Sequence, residues 1–440
     1  MMWRYRIVLL LCLGSLASCR TTRLHKNRDI SIQINDAIHQ TNLLQNCYLG
    51  ISIRDVDGGN AIFDYQADKL FTPASNVKIL TAYAAKHYLK DSLLSCKWIE
   101  TDSTVTLWPC GDPSPMKNGL PEGHLPERLK SIVQNKKVYI STAHADISPF
   151  GNGWMWDDYG DDYQAEISAF PIYGNVLTVF GKDSSLLEVM PFSEDFVIDR
   201  NSINSNINRD IISNVLSVGT KGRQGEWMQE IPIYNAEKVN KKLWENRIGT
   251  ALVDTILQVP EQGVHLLHSI PLDTTLRLMM ERSDNMIAEQ CLLQIGMSLG
   301  DTLNSKYAID TVLNDLYLPF KNELKWVDGS GLSRYNQISP SILSRILGDM
   351  YKKLDRTELL YMMPKIKLSL PEKNQQTSAS NFYAKSGSMS SVYNLSGYIV
   401  KPSGKTYTFS IMVNHFLVAP SKIKKEVLQL LQKIDLLLAS

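Results

Sequence analysis

The sequence predicts a mixed α/β fold of the α+β kind: an antiparallel sheet flanked by helices, with β-rich segments inserted into it. Three observations predict this. Strand-like runs joined by turn signals lie near both ends of the chain: Cys47–Arg54 and Ala61–Asp64 around Asp57-Gly-Gly-Asn60, then Leu395–Val400 and Thr406–Val413 around Lys401-Pro-Ser-Gly-Lys405. Helical patterning occupies the stretches beside them, ending in an apolar stripe at Ile423, Val427, Leu430, Leu431 and Ile434. At 440 residues the chain exceeds what one core organises, so two or three domains are expected.

Composition narrows the class. Hydrophobic residues make up 44% and charged residues 21%, as in folded globular proteins, and the net charge of +1 gives no basic field for nucleic acid. Arg4 and Arg6 precede the apolar run Ile7–Leu16, which is too short to span a bilayer and fits a signal-peptide core. The run closes on Leu16-Ala17-Ser18-Cys19, which resembles the bacterial lipoprotein cleavage box. Residues 1–18 are therefore read as a signal peptide, Cys19 as the lipidated first residue and 19–30 as a tether. Arg20 after the cysteine, rather than aspartate, resembles outer-membrane sorting. Cys47, Cys96, Cys110 and Cys291 then face an oxidising compartment. A hairpin centred on Thr101–Thr104 would bring Cys96 opposite Cys110, so a disulfide is expected there. Cys47 and Cys291 read as small buried apolar residues.

The elements follow in order. Ile30–Gln45 can form a helix, the first strand pair follows, and Phe71–Ala85 opens with Pro73 and continues in Ala-rich helix material. Between about 90 and 265 lie Val138–Ser141, Val176–Phe180 and Ser185–Met190, read as strands of one or two β-rich inserts. Helical patterning returns from Pro271, and Ser339-Pro340 marks a capped helix start. Ala384-Lys385 opens the last β-region. The domain reading is 31–90 and 266–440 as two parts of one domain, with 91–265 inserted as one or two β-rich segments.

Three motifs carry chemistry. In Pro73-Ala-Ser-Asn-Val-Lys78, Ser75 and Lys78 share one helix face near a helix start. A serine hydroxyl needs a neighbouring base, and a lysine serves only when its pKa is pulled down by burial, a second cation or the positive end of a helix dipole. The second motif is Ser283-Asp-Asn285, 208 residues beyond Ser75, and the third is Lys385-Ser-Gly387. Ser-x-x-Lys, Ser-Asp-Asn and Lys-Thr-Gly occur in this order in serine β-lactamases and penicillin-binding proteins. Here Ser386 replaces threonine and keeps its hydroxyl.

With Gly111-Asp-Pro-Ser114, Gly153-Trp-Met-Trp-Asp-Asp158 and Asp328-Gly-Ser-Gly-Leu-Ser-Arg334, these motifs make the chain resemble class C low-molecular-mass penicillin-binding proteins, the D-alanyl-D-alanine carboxypeptidase/endopeptidases. The resemblance covers the mature chain almost end to end. It implies a split β-lactamase/transpeptidase-like domain with nested inserts, no metal and no cofactor, and peptidoglycan stem peptides and cross-links as substrates. β-Lactam antibiotics would be acylating inhibitors, and the location would be the periplasmic cell envelope. Carried over, Ser75 is the nucleophile and Lys78 its base; Ser283 relays a proton and Asn285 holds the substrate amide. Lys385 adds positive charge that depresses Lys78 and attracts the substrate carboxylate, and Ser386 binds that carboxylate beside Gly387. The backbone N–H groups of Ser75 and Ser388 form the oxyanion hole. The resemblance also implies a pocket for a diaminopimelate side chain: Asp157 for its amine, Arg334 for its carboxylate, and Trp154, Tyr163 and Met389 as walls. One segment departs: Ile366–Asn374 lacks the Gly-x-Asp-Gly-Thr-Leu pattern that relatives carry. Two other readings compete, a serine β-lactamase-like hydrolase and a non-catalytic cell-wall binding lipoprotein. The intact set of five catalytic residues argues against the second.

Overall fold

A computed structural model of the chain describes residues 29–199, 207–368 and 379–439. The signal peptide, the lipidation site Cys19, nearly all of the tether and most of the segment 366–374 lie outside the described residues. The chain forms two compact units.

The described part of the first unit comprises residues 29–73, 338–359, 365–368 and 379–439. Its sheet has six strands in the order Lys365–Ile366, Asn381–Met389, Val392–Val400, Thr406–Asn414, Tyr48–Asp55 and Ala61–Tyr65, all antiparallel. The N-terminal strand pair therefore completes a sheet whose other strands come from the last 80 residues of the chain. Helix Pro340–Lys353 begins where expected: the Ser339 hydroxyl accepts from the Ile342 N–H at 3.2 Å, and Pro340 needs no N–H partner in the first turn. The closing helix Pro420–Ala439 buries Ile423, Val427, Leu430, Leu431 and Ile434 in one core with Ile51, Phe409 and Ile411 of the sheet. The first helix breaks in two, spanning 29–39 and Asn42–Gln45.

The described part of the second unit comprises residues 74–199, 207–337 and 360–364. It contains a five-stranded sheet in the order Leu252–Thr255, Lys137–Ser141, Thr104–Pro109, Ser92–Glu100 and His265–Pro271. Two of its pairings are parallel, and helices Leu125–Val133 and Ala236–Ile248 run before the strands that pair this way. Two three-stranded sheets accompany it, and a shared core joins Leu107, Leu129, Leu177, Ile231 and Trp244. Helices Val77–Tyr88, Leu272–Arg282 and Asn285–Gly300 pack together in the same unit.

The expected disulfide is absent. The hairpin forms, but its register sets Cys96 opposite Pro109, and the thiols turn to neighbouring carbonyls: Cys96 donates to Lys97 O at 3.1 Å and Cys110 to Trp108 O at 3.4 Å. Cys291 is fully buried, as read, whereas Cys47 is only half-buried. No helix among the described residues is long and apolar enough to cross a membrane.

Candidate active site

Ser75 lies in a short 3-10 turn, Ala74–Asn76, that feeds helix Val77–Tyr88. The three-residue spacing then places Lys78 beside it, with Nζ 3.0 Å from Ser75 Oγ. Lys78 is fully buried, among the largest such side chains in the chain. Nζ also donates to Asn285 Oδ1 at 2.6 Å and to the Ser330 carbonyl at 2.7 Å. Two of these partners can only accept; Ser75 can donate or accept. A neutral lysine has two N–H groups and one lone pair, so it satisfies both acceptors and takes a hydrogen bond from the Ser75 hydroxyl. Burial pulls the Lys78 pKa down to about 8, against Glu289, Asp328 and Asp284, whose charges raise it. Of the three causes expected from sequence, burial is the leading one.

Asn285 is held by what precedes it. Ser283 takes a left-handed conformation (φ 59°) that ends helix Leu272–Arg282, and Asp284 caps the next helix by accepting from the Ile287 N–H at 2.9 Å. Asn285 Nδ2 donates to the Tyr163 carbonyl at 2.8 Å, which leaves its oxygen directed at Lys78. Asp284 pairs with Lys117 at 2.8 Å. Burial pushes the Asp284 carboxyl up, but the Lys117 ammonium and the Ile287 N–H outweigh it, and the net shift is down. A cavity of about 230 Å³ opens here, lined by Lys117, Asp162, Tyr163, Ser283, Asp284 and Asn285 among others.

The Asp328–Arg334 loop lies against Ser75 and Lys78. Asp328 is buried and accepts from Gly331 N (2.8 Å), Asn336 Nδ2 (2.7 Å), Ser333 N (2.6 Å) and Trp154 Nε1 (3.0 Å). Buried Glu289 accepts from Gly329 N at 3.0 Å and Ser330 N at 2.8 Å, which turns the Ser330 carbonyl to Lys78. Burial, with the charge of Asp328 adding to it, raises Glu289 to about 7. A β-carbon on Gly331 would stand 1.9 Å from the Ala74 carbonyl oxygen, so the loop touches the turn that carries Ser75.

The structure therefore joins Ser75, Lys78 and Asn285 by direct hydrogen bonds, and Ser283 adjoins them in sequence at the helix junction. Trp154 is committed through its N–H to Asp328, and the exposed Tyr163 donates its hydroxyl to Asp158 and Asp161. Asp157 and Arg334 are both exposed. Lys385, Ser386, Gly387, Ser388 and Met389 belong to the first unit. There, on strand Asn381–Met389, Lys385 and Gly387 are buried, Ser386 and Ser388 are exposed and Met389 is half-buried. Lys385 Nζ donates to the Ser386 carbonyl at 2.9 Å, and Asn394, opposite Gly387, donates to Thr72 O at 2.9 Å. The sequence reading missed Glu289, Asp328 and Lys117. The Asp-Gly-Ser-Gly spelling at 328–331 was the signal for one of them.

A buried lysine on a serine hydroxyl, at a helix start in a mixed helix-and-sheet fold, is an arrangement that serine hydrolases with a lysine base use. Comparison with known proteins gives the family. The profile of the D-Ala-D-Ala carboxypeptidase 3 (S13) family matches residues 30–189 and 218–434. The chain belongs to this family and is a serine-type D-Ala-D-Ala carboxypeptidase. It is 24% identical over 432 residues to the D-alanyl-D-alanine carboxypeptidase DacB of Haemophilus influenzae, covering 87% of this chain and 89% of that one. The crystal structure of penicillin binding protein 4 (dacB) from Haemophilus influenzae shares the fold, with a TM-score of 0.67 at 19% identity over 92% of this chain and 98% of that one. A structure of that protein complexed with a β-lactam gives a TM-score of 0.62 at 18% identity over the same shares of the two chains.

Proposed function

We propose that this chain cleaves D-Ala-D-Ala termini and D-amino cross-links of peptidoglycan through an acyl-enzyme on Ser75. Neutral Lys78 takes the Ser75 proton as Oγ attacks the amide carbonyl carbon. The tetrahedral oxyanion rests on the N–H groups of Ser75 and Ser388. The C–N bond breaks, and the proton passes from Lys78 through Ser283 to the leaving amine. Water then hydrolyses the ester and restores Ser75. Asn285 holds the substrate amide; Lys385 and Ser386, beside Gly387, take the terminal carboxylate. The observation that carries this reading is the 3.0 Å contact between a fully buried Lys78 and Ser75. It is tested by D-alanine release from a peptide ending in D-Ala-D-Ala. Wild type releases it and Ser75→Ala does not; release by Ser75→Ala at the wild-type rate would refute the proposal.

A β-lactam ring presents a strained amide to the same hydroxyl, so penicillin acylates Ser75. Peptidoglycan lies outside the cytoplasmic membrane, and this reading puts the enzyme in the periplasmic cell envelope. There a lipid on Cys19 holds it to a membrane, the outer one on the Arg20 reading. The split domain with 91–265 inserted belongs to the same proposal.

For the substrate side chain we retain Asp157 and Arg334 as partners of a diaminopimelate amine and carboxylate, with Trp154, Tyr163 and Met389 as walls. Asp157→Ala and Arg334→Ala should each lower kcat/KM for diaminopimelate peptides about tenfold, as expected for a lost charge-assisted hydrogen bond. Peptides that end in an uncharged side chain at that position should be unaffected. Equal loss on both substrates, or none, removes the pocket.

A further inference from the structure

The mechanism above gives Lys117 no part, and no motif contains it, yet it is buried beside the site. Its ammonium pairs with Asp284 at 2.8 Å, and the two side chains are only 5% and 15% exposed. Gly174 makes room for it: at φ +68°, a β-carbon there would stand 2.7 Å from Lys117 Nζ. The loop that carries Lys117 is tied by its own backbone, with Lys117 N donating to Ser114 O and Leu120 N to Lys117 O, each at 3.2 Å. Two opposite charges taken out of water together fix each other, and losing either strands the other.

Asp284 passes that geometry on. One carboxylate oxygen faces Lys117, while the other caps the next helix by accepting from Ile287 N at 2.9 Å. Asn285 follows directly, and its Nδ2 and Oδ1 reach the Tyr163 carbonyl and Lys78 Nζ. A shift of Asp284 therefore moves the oxygen that meets the base. The pair also acts electrostatically. The Asp284 carboxylate favours the protonated form of Lys78, which cannot serve as a base. A cation 2.8 Å from that carboxylate offsets its field. Glu289 and Asp328 bear on Lys78 with the same sign as Asp284, and Asp162, Glu230 and Arg282 line the cavity that Lys117 and Asp284 share.

We propose that Lys117 is a positioning residue for the acylation step: through Asp284 it sets Asn285 against Lys78, and its charge offsets the carboxylate that would otherwise hold a proton on the base. This rests on the acyl-enzyme reading above.

The test is the pH profile of acylation by a fluorescent penicillin, measured on the full chain. Lys117→Met leaves the Asp284 carboxylate without its cation. The midpoint of the profile should rise by about one pH unit, and the rate at pH 7 should fall about tenfold from this cause alone. On the plateau above the midpoint the variant should still be at least about threefold slower, the part due to a displaced Asn285. Asp284→Asn removes the carboxylate but keeps an oxygen for the helix cap, so its midpoint should fall below the wild-type one. An ion pair that only holds the fold together would change the folded fraction and leave both midpoints in place. If Lys117→Met fails to fold, Lys117→Gln, which keeps a donor for Asp284 but no charge, must show the raised midpoint. A lysine variant with the wild-type midpoint, a Lys117→Met plateau equal to wild type, or a midpoint that rises in Asp284→Asn would overturn the proposal. A wild type that takes up no penicillin label refutes the acyl-enzyme and the role of Lys117 with it; label with unmoved midpoints refutes the role of Lys117 alone.

Discussion

In the proposed mechanism Lys78→Met should lower the rate of penicillin acylation by about 10³-fold or more, because it removes the amine that contacts both Ser75 Oγ and Asn285 Oδ1. Methionine keeps most of the volume and no basic nitrogen, so a packing role alone would leave the rate largely intact. The wild-type pH profile carries the same information. In the proposed mechanism the base is the unprotonated amine, and burial pulls the Lys78 pKa down to about 8. The acylation rate should therefore rise with pH and level off above about 8, falling about tenfold per unit below it. The stability effect has a definite sign. The folded pKa lies below the ordinary lysine value of 10.5, so the unfolded chain binds more protons between about 8 and 10.5. Lys78 thus makes the fold more stable as pH rises through that window and carries its full penalty below it. An acylation rate flat from pH 6 to about 10, in stopped-flow measurements with excess penicillin, contradicts the assignment.

Gly331→Ala should damage both fold and site. The residue has φ of +83°, and its new methyl would stand 1.9 Å from the Ala74 carbonyl oxygen, one residue before Ser75. Left-handed strain and overpacking each cost about 1–3 kcal/mol, so a loss of roughly 3 kcal/mol or more is expected. Relief moves the turn Ala74–Asn76 or the Ser330 carbonyl, which disturbs the contact of Lys78 with Ser75 or with Ser330. Acylation of the remaining folded protein should fall more than about tenfold, a larger loss than unfolding alone explains. Gly348→Ala is the control. It sits in helix Pro340–Lys353 with open space around it, and should raise stability by about 0.5–1 kcal/mol. Thermal melts with acylation rates on both variants decide the matter. A Gly331→Ala protein as stable and as reactive as wild type would show that the loop does not support the nucleophile.

The local parts of this design were legible in the sequence. Ser339-Pro340 announced a helix start, the period of Ile423, Val427 and Leu430 announced the buried face of the last helix, and Ser75 and Lys78 met as their spacing required. The missing parts leave no local pattern. Glu289 lies in a helix buried from Met286 to Met297, where no polar stripe sets a functional acid apart from an ordinary one. Asp328 stands in a motif read for its terminal arginine, yet its four hydrogen bonds depend on residues as distant as Trp154. Lys117 belongs to no motif at all. The parallel strands of the second unit also escaped the reading. The short helix Leu125–Val133 ahead of one of them was spelled by Pro126 and the spacing of Leu125, Leu129 and Val133. The Cys96–Cys110 bridge failed on one residue of register, which the turn between two short strands does not specify closely.

The most direct measurement is the position of the penicillin adduct. Trypsin cutting after Lys69 and Lys78 releases Leu70–Lys78, whose hydroxyls are Thr72 and Ser75. After brief exposure to penicillin, mass spectrometry should find the added acyl mass on this peptide, fragmentation should place it on Ser75, and Ser75→Ala should remove it. An adduct on another peptide, or one that survives Ser75→Ala, would contradict the assignment of the nucleophile and everything built on it.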